Sequence, residues 1–520
     1  MLARCDGAST NDPAEVPVVV TESGPLRGIA GDQVDEYLGI PYAAPPVGSL
    51  RWMPPKPYGR WHGILRATQF GNECPQVDGA VIGSENCLFL NVYAPHTRKK
   101  RGPLLPVMVW IHGGGLSAGG SEMFDPSPLV EHGNLIVVTI NYRIGLLGFF
   151  AHPAIDNEGH PRGNYGLMDQ QFALKWVRQN IIGFGGNDRL VTIFGQSAGG
   201  LSAYCNLASP TAAGLFQRAI AESGSYAGFT DYLGEIVPVA VAETIGTPFV
   251  PSGINLASAI GCPSQTAKCL RHVSPANLVG LRLNTFDFVY PFIDGTVLTQ
   301  QPKAALASGQ FNRVPVISGT THDEWRLFVA FEYDLSDAPL RNSEYATAVD
   351  ALFGPVLGPM VLGFYPLPAS PPADAASLTL SASGTDGIFS CPARLADRFL
   401  SRYVTTYAYE FNDESAPPEI GLSTVSFPLG AYHDSEQQYL MNVSLFPFPP
   451  SFTLDQQQLS QTMITYWTNF AKTGDPNSAG VPTWPPYSSV TDQFQSLIPP
   501  DPTVESSFAA DHLCTRFWQH

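Results

Sequence analysis

The chain has 520 residues, 44% of them apolar and 11% aromatic, enough to bury a large core in one big domain with insertions or in two. A net charge of −17 and an isoelectric point near 5.0 exclude nucleic acid and anionic lipid surfaces as partners. No run of about eighteen apolar residues is present, which predicts no transmembrane segment. In chain order, residues 1–15 read as a tail, and residues 16–20 and 28–30 as a small β-hairpin around Ser23-Gly24-Pro25. The basic run Lys99-Lys100-Arg101, between two prolines, reads as a solvated loop. Short β-rich runs follow at 107–111, 135–140, 191–194, 314–318 and 405–411, the last of them expected to be the final strand. Helical stretches lie between several of these, as at 167–180, where Phe172, Trp176 and Val177 recur at helical spacing. Strand and helix in alternation predict an α/β fold, a mainly parallel sheet covered on both faces. Residues 225–290 and 330–400, richer in Pro, Ala and Ser, break the alternation. They are expected to be helical cap insertions within a single domain covering 16–520.

Two pentapeptides match G-x-S-x-G, Gly115 to Gly119 around Ser117 and Gly195 to Gly199 around Ser197. A nucleophile elbow needs its serine on a tight strand-to-helix turn, with glycines where a side chain would clash. Ser197 follows the apolar run 191–194 and precedes a helix-like stretch, 198–207. Ser117 also follows a strand, but Gly119-Gly120, Asp125-Pro126 and Pro128 come after it and break helices. Ser197 is therefore the expected nucleophile. The first pentapeptide overlaps His112-Gly113-Gly114-Gly115, a glycine run whose backbone N–H groups can aim at a developing oxyanion. Gly114 and Gly115, with the N–H of Ala198 after the nucleophile, are the expected donors.

An activated serine needs a histidine to take its proton and a carboxylate to orient that histidine. When both follow the serine, each sits in a loop at the carboxyl end of a later strand. The loop after 314–318 contains His322-Asp323-Glu324, making either Asp323 or Glu324 the acid. The loop after 405–411 leads to Gly430-Ala431-Tyr432-His433, making His433 the base.

Eight cysteines are many for a reducing compartment. Cys74 with Cys87 and Cys262 with Cys269 would each close a short loop, and Cys391 is free to meet Cys514. Zinc is disfavoured, since no C-x-x-C or H-x-x-x-H spacing accompanies them. Cys205 reads as a buried free thiol. An oxidising location is expected, secreted, periplasmic or at the cell surface, although the N-terminus shows no hydrophobic signal region. Leu2-Ala3-Arg4-Cys5 is a poor lipid-anchor motif because Arg4 precedes the cysteine. Asn442-Val443-Ser444 is a glycosylation sequon.

Tyr37-Leu38-Gly39-Ile40-Pro41-Tyr42-Ala43, Ser84-Glu85-Asn86-Cys87-Leu88-Phe89-Leu90-Asn91-Val92, Asn141-Tyr142-Arg143, residues 163–170 and Phe184-Gly185-Gly186-Asn187 lead in order to the elbow. With that series the chain resembles the type-B carboxylesterases of the carboxylesterase and cholinesterase family, nearly end to end. The resemblance implies the α/β-hydrolase fold, Glu324 rather than Asp323 as the acid, His433 as the base, and Gly114, Gly115 and Ala198 as the oxyanion hole. It also implies the disulfides Cys74 with Cys87, Cys262 with Cys269 and Cys391 with Cys514, and the structural ion pairs Arg51 with Glu85 and Arg143 with Asp169.

Three departures from the family bear on substrate. The twelve residues between Cys74 and Cys87 hold no aromatic, so a quaternary ammonium would lack an aromatic face. Gln196 stands before the nucleophile where many relatives have glutamate, and Trp325 follows the acid where glycine is usual. Phe286, Phe288, Tyr290 and Phe292 precede Ile293-Asp294-Gly295 in the segment that lines the family's acyl pocket. Alternation at period two is as much a core pattern as a pocket pattern, so only some of these face substrate. Gln196, Phe286, Phe288, Tyr290 and Trp325 are the expected pocket residues. The expected reaction is hydrolysis of a small carboxylic ester through an acyl-enzyme, with no cofactor and no metal. A lipase acting on longer glycerides is the alternative within enzymes, and a non-catalytic adhesion module the alternative outside them.

Overall fold

The computed structural model describes residues 18–96, 102–229, 236–247, 250–281, 283 and 288–519. The N-terminal tail with Cys5, the basic run at 99–101 and Phe286 lie outside them. A hairpin forms, but its second strand lies earlier than expected: Val19–Thr21 pairs with Gly24–Arg27, so Gly24 and Pro25 belong to the strand and 28–30 fall outside it. The centre is a ten-stranded sheet: β1 (Val34–Pro41), β2 (Phe89–Pro95), β3 (Leu105–Ile111), β4 (Ile136–Ile140), β5 (Gly186–Gln196), β6 (Arg218–Glu222), β7 (Val316–Thr321), β8 (Thr406–Phe411), β9 (Phe494–Leu497) and β10 (Thr503–Glu505). Across the sheet they run β10-β9-β8-β7-β6-β5-β3-β4-β2-β1. The seven strands from β9 to β4 are parallel to their neighbours, and antiparallel strands close both edges.

The period of two along β3 sends Val107, Val109 and Ile111 into one apolar layer and Met108 and Trp110 into the other. Helices α1 (Tyr165–Asn180) and α2 (Ala198–Ala208) cover the first layer through Leu174, Val177 and Leu201. Helix α7 (Leu454–Thr473) covers the second through Leu459, Met463 and Trp467. Between them in sequence come α3 (Trp325–Glu332), α4 (Tyr345–Phe364), α5 (Ala375–Gly384) and α6 (Cys391–Leu400).

Two readings change. Residues 405–411 are not the final strand, because β9 and β10 extend the sheet beyond β8. Pro128 does not block a helix, for it sits in the first turn of Ser127–Gly133, where its missing N–H costs nothing. That helix starts ten residues after Ser117, too late for an elbow. One described stretch, Asn342–Phe364, reaches membrane-spanning length and apolarity by composition alone, with a mean hydropathy of 1.5. It is broken at Gly354 (φ 75, ψ 167) and carries Pro355 and Pro359, so it is two shorter helices about a kink.

All three cysteine pairs are bonded, Cys74–Cys87, Cys262–Cys269 and Cys391–Cys514, and Cys205 is a buried thiol. Arg51 reaches Glu85 through two hydrogen bonds of 2.6 Å. Arg143 reaches Asp169 at 2.7 and 2.8 Å, with both side chains buried.

Candidate active site

Strand β5 ends at Gln196 and α2 begins at Ala198, leaving Ser197 on the turn between them at φ 55, ψ −119. A non-glycine residue in that region is strained, and the surroundings hold it there. The Ser197 N–H donates to Glu222 O on β6 at 2.8 Å, while its carbonyl accepts the first helical bond from Leu201. The flanking glycines are steric necessities. A Cβ on Gly195 would come within 2.5 Å of Ile111 O, and one on Gly199 within 1.9 Å of the same oxygen.

Two loops at the carboxyl ends of β7 and β8 bring the other groups. They are tied together by Asp323, whose N–H donates to Ala431 O at 2.9 Å and whose carboxylate accepts from Ala431 N at 3.0 Å. Asp323 is thus spent on the loop itself, with Arg326 at 2.8 Å. The next residue, Glu324, turns inward and meets His433 Nδ1 through Oε2. Its Oε1 accepts from the Thr320 hydroxyl at 2.5 Å and from Thr321 N at 2.9 Å. Burial pushes the Glu324 carboxyl up, but His433 and the hydroxyls of Ser223 and Thr320 outweigh it and hold the group below its ordinary value. On the histidine, burial favours the neutral ring, while Asp434 and Glu324 raise its proton affinity to a net upward shift. The ring packs against the stacked pair Phe328 and Phe389, with centroids 5.1 and 5.0 Å away.

Ser197 and His433 face one cavity of about 620 Å³, also lined by Gly114, Gly115, Phe288, Phe328 and Asp434. The Ser197 hydroxyl makes no hydrogen bond among the described residues. His433 Nε2 instead lies 3.3 Å from Gln196 Nε2 and 3.8 Å from Asp434 Oδ1. Gly114 and Gly115 both lie at positive φ (92 and 63), and their N–H groups, like that of Ala198, have no partner among the described residues. Three donors are therefore open beside the serine.

The other expected pocket residues separate. Phe288 lines the main cavity, and Tyr290 lines a smaller apolar pocket beside it. Gln196 lies 1% exposed behind the elbow. Trp325 is buried against Phe328 and Phe389, under the cavity wall and not in it. Gln76 and Val77 represent the loop of the first disulfide at the cavity, a polar and an aliphatic side chain. Sequence reasoning missed two acids. Asp434 enters the cavity because of its left-handed backbone (φ 76), for which the sequence carries no signal. Glu222 lies under the elbow, its Oε1 accepting from Trp467 Nε1 at 2.7 Å.

Burial raises the Glu222 carboxyl to about 7, so the folded protein binds a proton there that the unfolded chain releases above about 4.5. That contribution is complete below pH 4.5 and is lost as pH rises through 7. Glu222→Gln removes the loss. Relative to wild type it should gain about 2 kcal/mol on going from pH 5 to pH 8, measured by chemical unfolding at both.

One further group gathers ligand-type side chains, His322, Glu410 and His512, with donor atoms within 4.8 Å of one another. His512 spans two carboxylates, with Nδ1 at 2.6 Å from Asp386 and Nε2 at 2.5 Å from Glu410. Burial disfavours its charge, but these two acids hold its proton well above the ordinary histidine range. Both ring nitrogens are used, and the group is a charged clasp of the C-terminal segment onto β8.

A model of the carboxylesterase family matches residues 15–514. The chain belongs to that family. The carboxylesterase chain is 34% identical to a para-nitrobenzyl esterase of Bacillus subtilis, over 91% of this chain and 93% of the relative. It is 35% identical to a liver carboxylesterase of Sus scrofa, over 91% and 88%, and 33% identical to the pyrethroid hydrolase Ces2e of Rattus norvegicus, over 96% and 89%. Membership places it among the carboxylic ester hydrolases, on the α/β-hydrolase fold that its sheet displays.

Proposed function

We propose that this carboxylesterase cleaves small carboxylic esters by a Ser197–His433–Glu324 triad through an acyl-enzyme. The observation that carries the reading is the buried Glu324–His433 pair facing the same cavity as a serine held on a strained elbow. With Nδ1–H donated to Glu324, Nε2 of His433 keeps its lone pair for the serine proton. Ser197 Oγ attacks the ester carbonyl as His433 takes that proton, and the carbonyl oxygen gains charge beside Gly114, Gly115 and Ala198 N–H. The tetrahedral adduct collapses when His433 returns the proton to the departing alcohol, leaving acyl-Ser197. Water then attacks through the same base, and the acid and free serine are released. Glu324 stays ionised throughout and stabilises the imidazolium.

The residues forming the site lie within one domain, which we take to cover 16–520, with 225–290 and 330–400 as its cap insertions. Three disulfides support an oxidising compartment, extracytoplasmic or extracellular.

Mixing with p-nitrophenyl acetate should release one p-nitrophenolate per chain in a burst, and acid quenching should trap an acetyl group on the peptide carrying Ser197. Turnover without a burst or a Ser197 adduct contradicts the mechanism. Val77 and Phe331, both exposed at the cavity, favour a second reading as a lipase. Faster cleavage of emulsified long-chain glycerides than of soluble short-chain esters would select it. Absence of any acyl transfer would leave only the binding-module reading.

A further inference from the structure

The carboxylate absent at position 196 returns at position 434. Asp434 follows the base in sequence, and its positive φ folds the side chain back beside the imidazole instead of away from it. Its Oδ1 lies 3.8 Å from His433 Nε2, and the side chain is 20% exposed, open to the cavity shared with Ser197. The Gln437 amide donates to Oδ1 at 2.9 Å, and Gln196 supplies a second amide. Burial and the nearby Glu324 raise the Asp434 carboxyl above its ordinary value, while His433 and the Gln437 and Gln196 amides act against that shift. Of the roughly four lone-pair sites of a carboxylate, the two amides leave acceptor capacity for a protonated, hydrogen-bonding ligand, which would itself favour the charged form. Glu332 adds another carboxylate, and among the described residues lining the cavity there is no lysine or arginine. Near Asp434, burial and neighbouring acids push the Glu419 and Glu436 carboxyls well above their ordinary range. Asp434 is thus the carboxylate nearest the reacting atoms that a substrate is able to touch.

Its position relative to His433 defines what it touches. In acyl transfer the alcohol oxygen must come within hydrogen-bond reach of His433 Nε2 to receive its proton. A group on that alcohol two carbons from the oxygen then falls beside Asp434. We infer that Asp434 is a specificity-determining residue selecting esters whose alcohol carries a protonated amine about two carbons from the ester oxygen. An N–H bearing ammonium suits this site better than a quaternary one, because it can donate a hydrogen bond to the carboxylate and a quaternary nitrogen cannot. The inference rests on the serine-esterase reading above.

The test compares two esters of one shape, 2-(dimethylamino)ethyl butanoate and 3-methylbutyl butanoate, at a pH where the amine is protonated. In the wild type kcat/KM should favour the ammonium ester at least tenfold, and Asp434→Asn should bring the two within twofold. Equal rates in the wild type overturn the inference without any variant. So does a preference that persists in Asp434→Asn, or a loss there shared equally by both esters, which would mean that Asp434 acts only through His433. Failure of the wild type to hydrolyse either ester overturns the underlying esterase reading instead.

Discussion

Ser197→Ala is expected to lower kcat by about a million-fold, the scale seen when the nucleophile of a serine triad is removed, while circular dichroism and the melting temperature stay near wild type. The loss is this large because, among the described residues, no other hydroxyl lies on the strand-to-helix turn that holds Oγ. Ser117 also lines the cavity, but it lies on the glycine loop with its hydroxyl turned back to Gly114 O at 3.3 Å. Ser117→Ala should therefore remain within a few-fold of wild type. Turnover of p-nitrophenyl acetate by the two variants is the measurement, and comparable activity in both would remove Ser197 from its role. Fold retention follows from the turn itself. Its strain is imposed by Gly195, Gly199 and the bond to Glu222 O, none of which involves the serine hydroxyl.

Arg143→Met should destabilise the protein by about 3–5 kcal/mol, the cost of stripping one partner from a buried ion pair. Asp169 is fully buried and receives Arg143 Nε, Nη2 and backbone N–H. With the guanidinium gone, a desolvated carboxylate keeps only the backbone donor. Urea unfolding checks the magnitude. The double replacement Arg143→Met with Asp169→Leu should recover much of the loss, since no charge is then left unpaired. Equal losses in the single and double variants would show that packing, not charge, sets the cost. Activity should fall with stability, because residues 145 and 146, which follow Arg143, line the cavity, and Gly145 N donates to Leu116 O at 2.6 Å in the glycine loop.

How much of this was legible in the sequence depends on the kind of signal each feature leaves. Buried parallel strands such as β3 and β4 are continuous apolar runs and read directly. Strand β6, Arg-Ala-Ile-Ala-Glu, is short and charged at both ends, so it leaves no such run, although four of its five residues are buried. Strand β9 hides in the same way, because Gln495 and Ser496 are buried polar residues one strand in from the sheet's edge. Helix α7 is rich in Gln and Thr, with a weakly amphipathic pattern whose apolar side shows only once the sheet is known to need covering. At the site, Ser197, Glu324 and His433 sit in motifs with local grammar, an elbow and two strand-end loops. What a side chain does one residue away depends on backbone sign, and Asp434 and Trp325 show both outcomes. A positive φ turns Asp434 into the cavity, while Trp325, starting a regular helix, is turned under its wall.

The start of α2 has an electrical consequence. Its eleven residues are all buried, no acidic residue stands in its first turn, and Ser197 gives it no side-chain cap. A helix end of this kind carries roughly half a positive elementary charge on its unpaired amides. In most proteins a carboxylate or hydroxyl cancels that field within a few ångströms. Here the helix itself supplies neither, and on the proposed mechanism its first amide, that of Ala198, faces the place where a carbonyl oxygen would turn anionic. If the proposed mechanism holds, the resting helix keeps its end dipole without a cap of its own, and the transient oxyanion would be the counter-charge it receives.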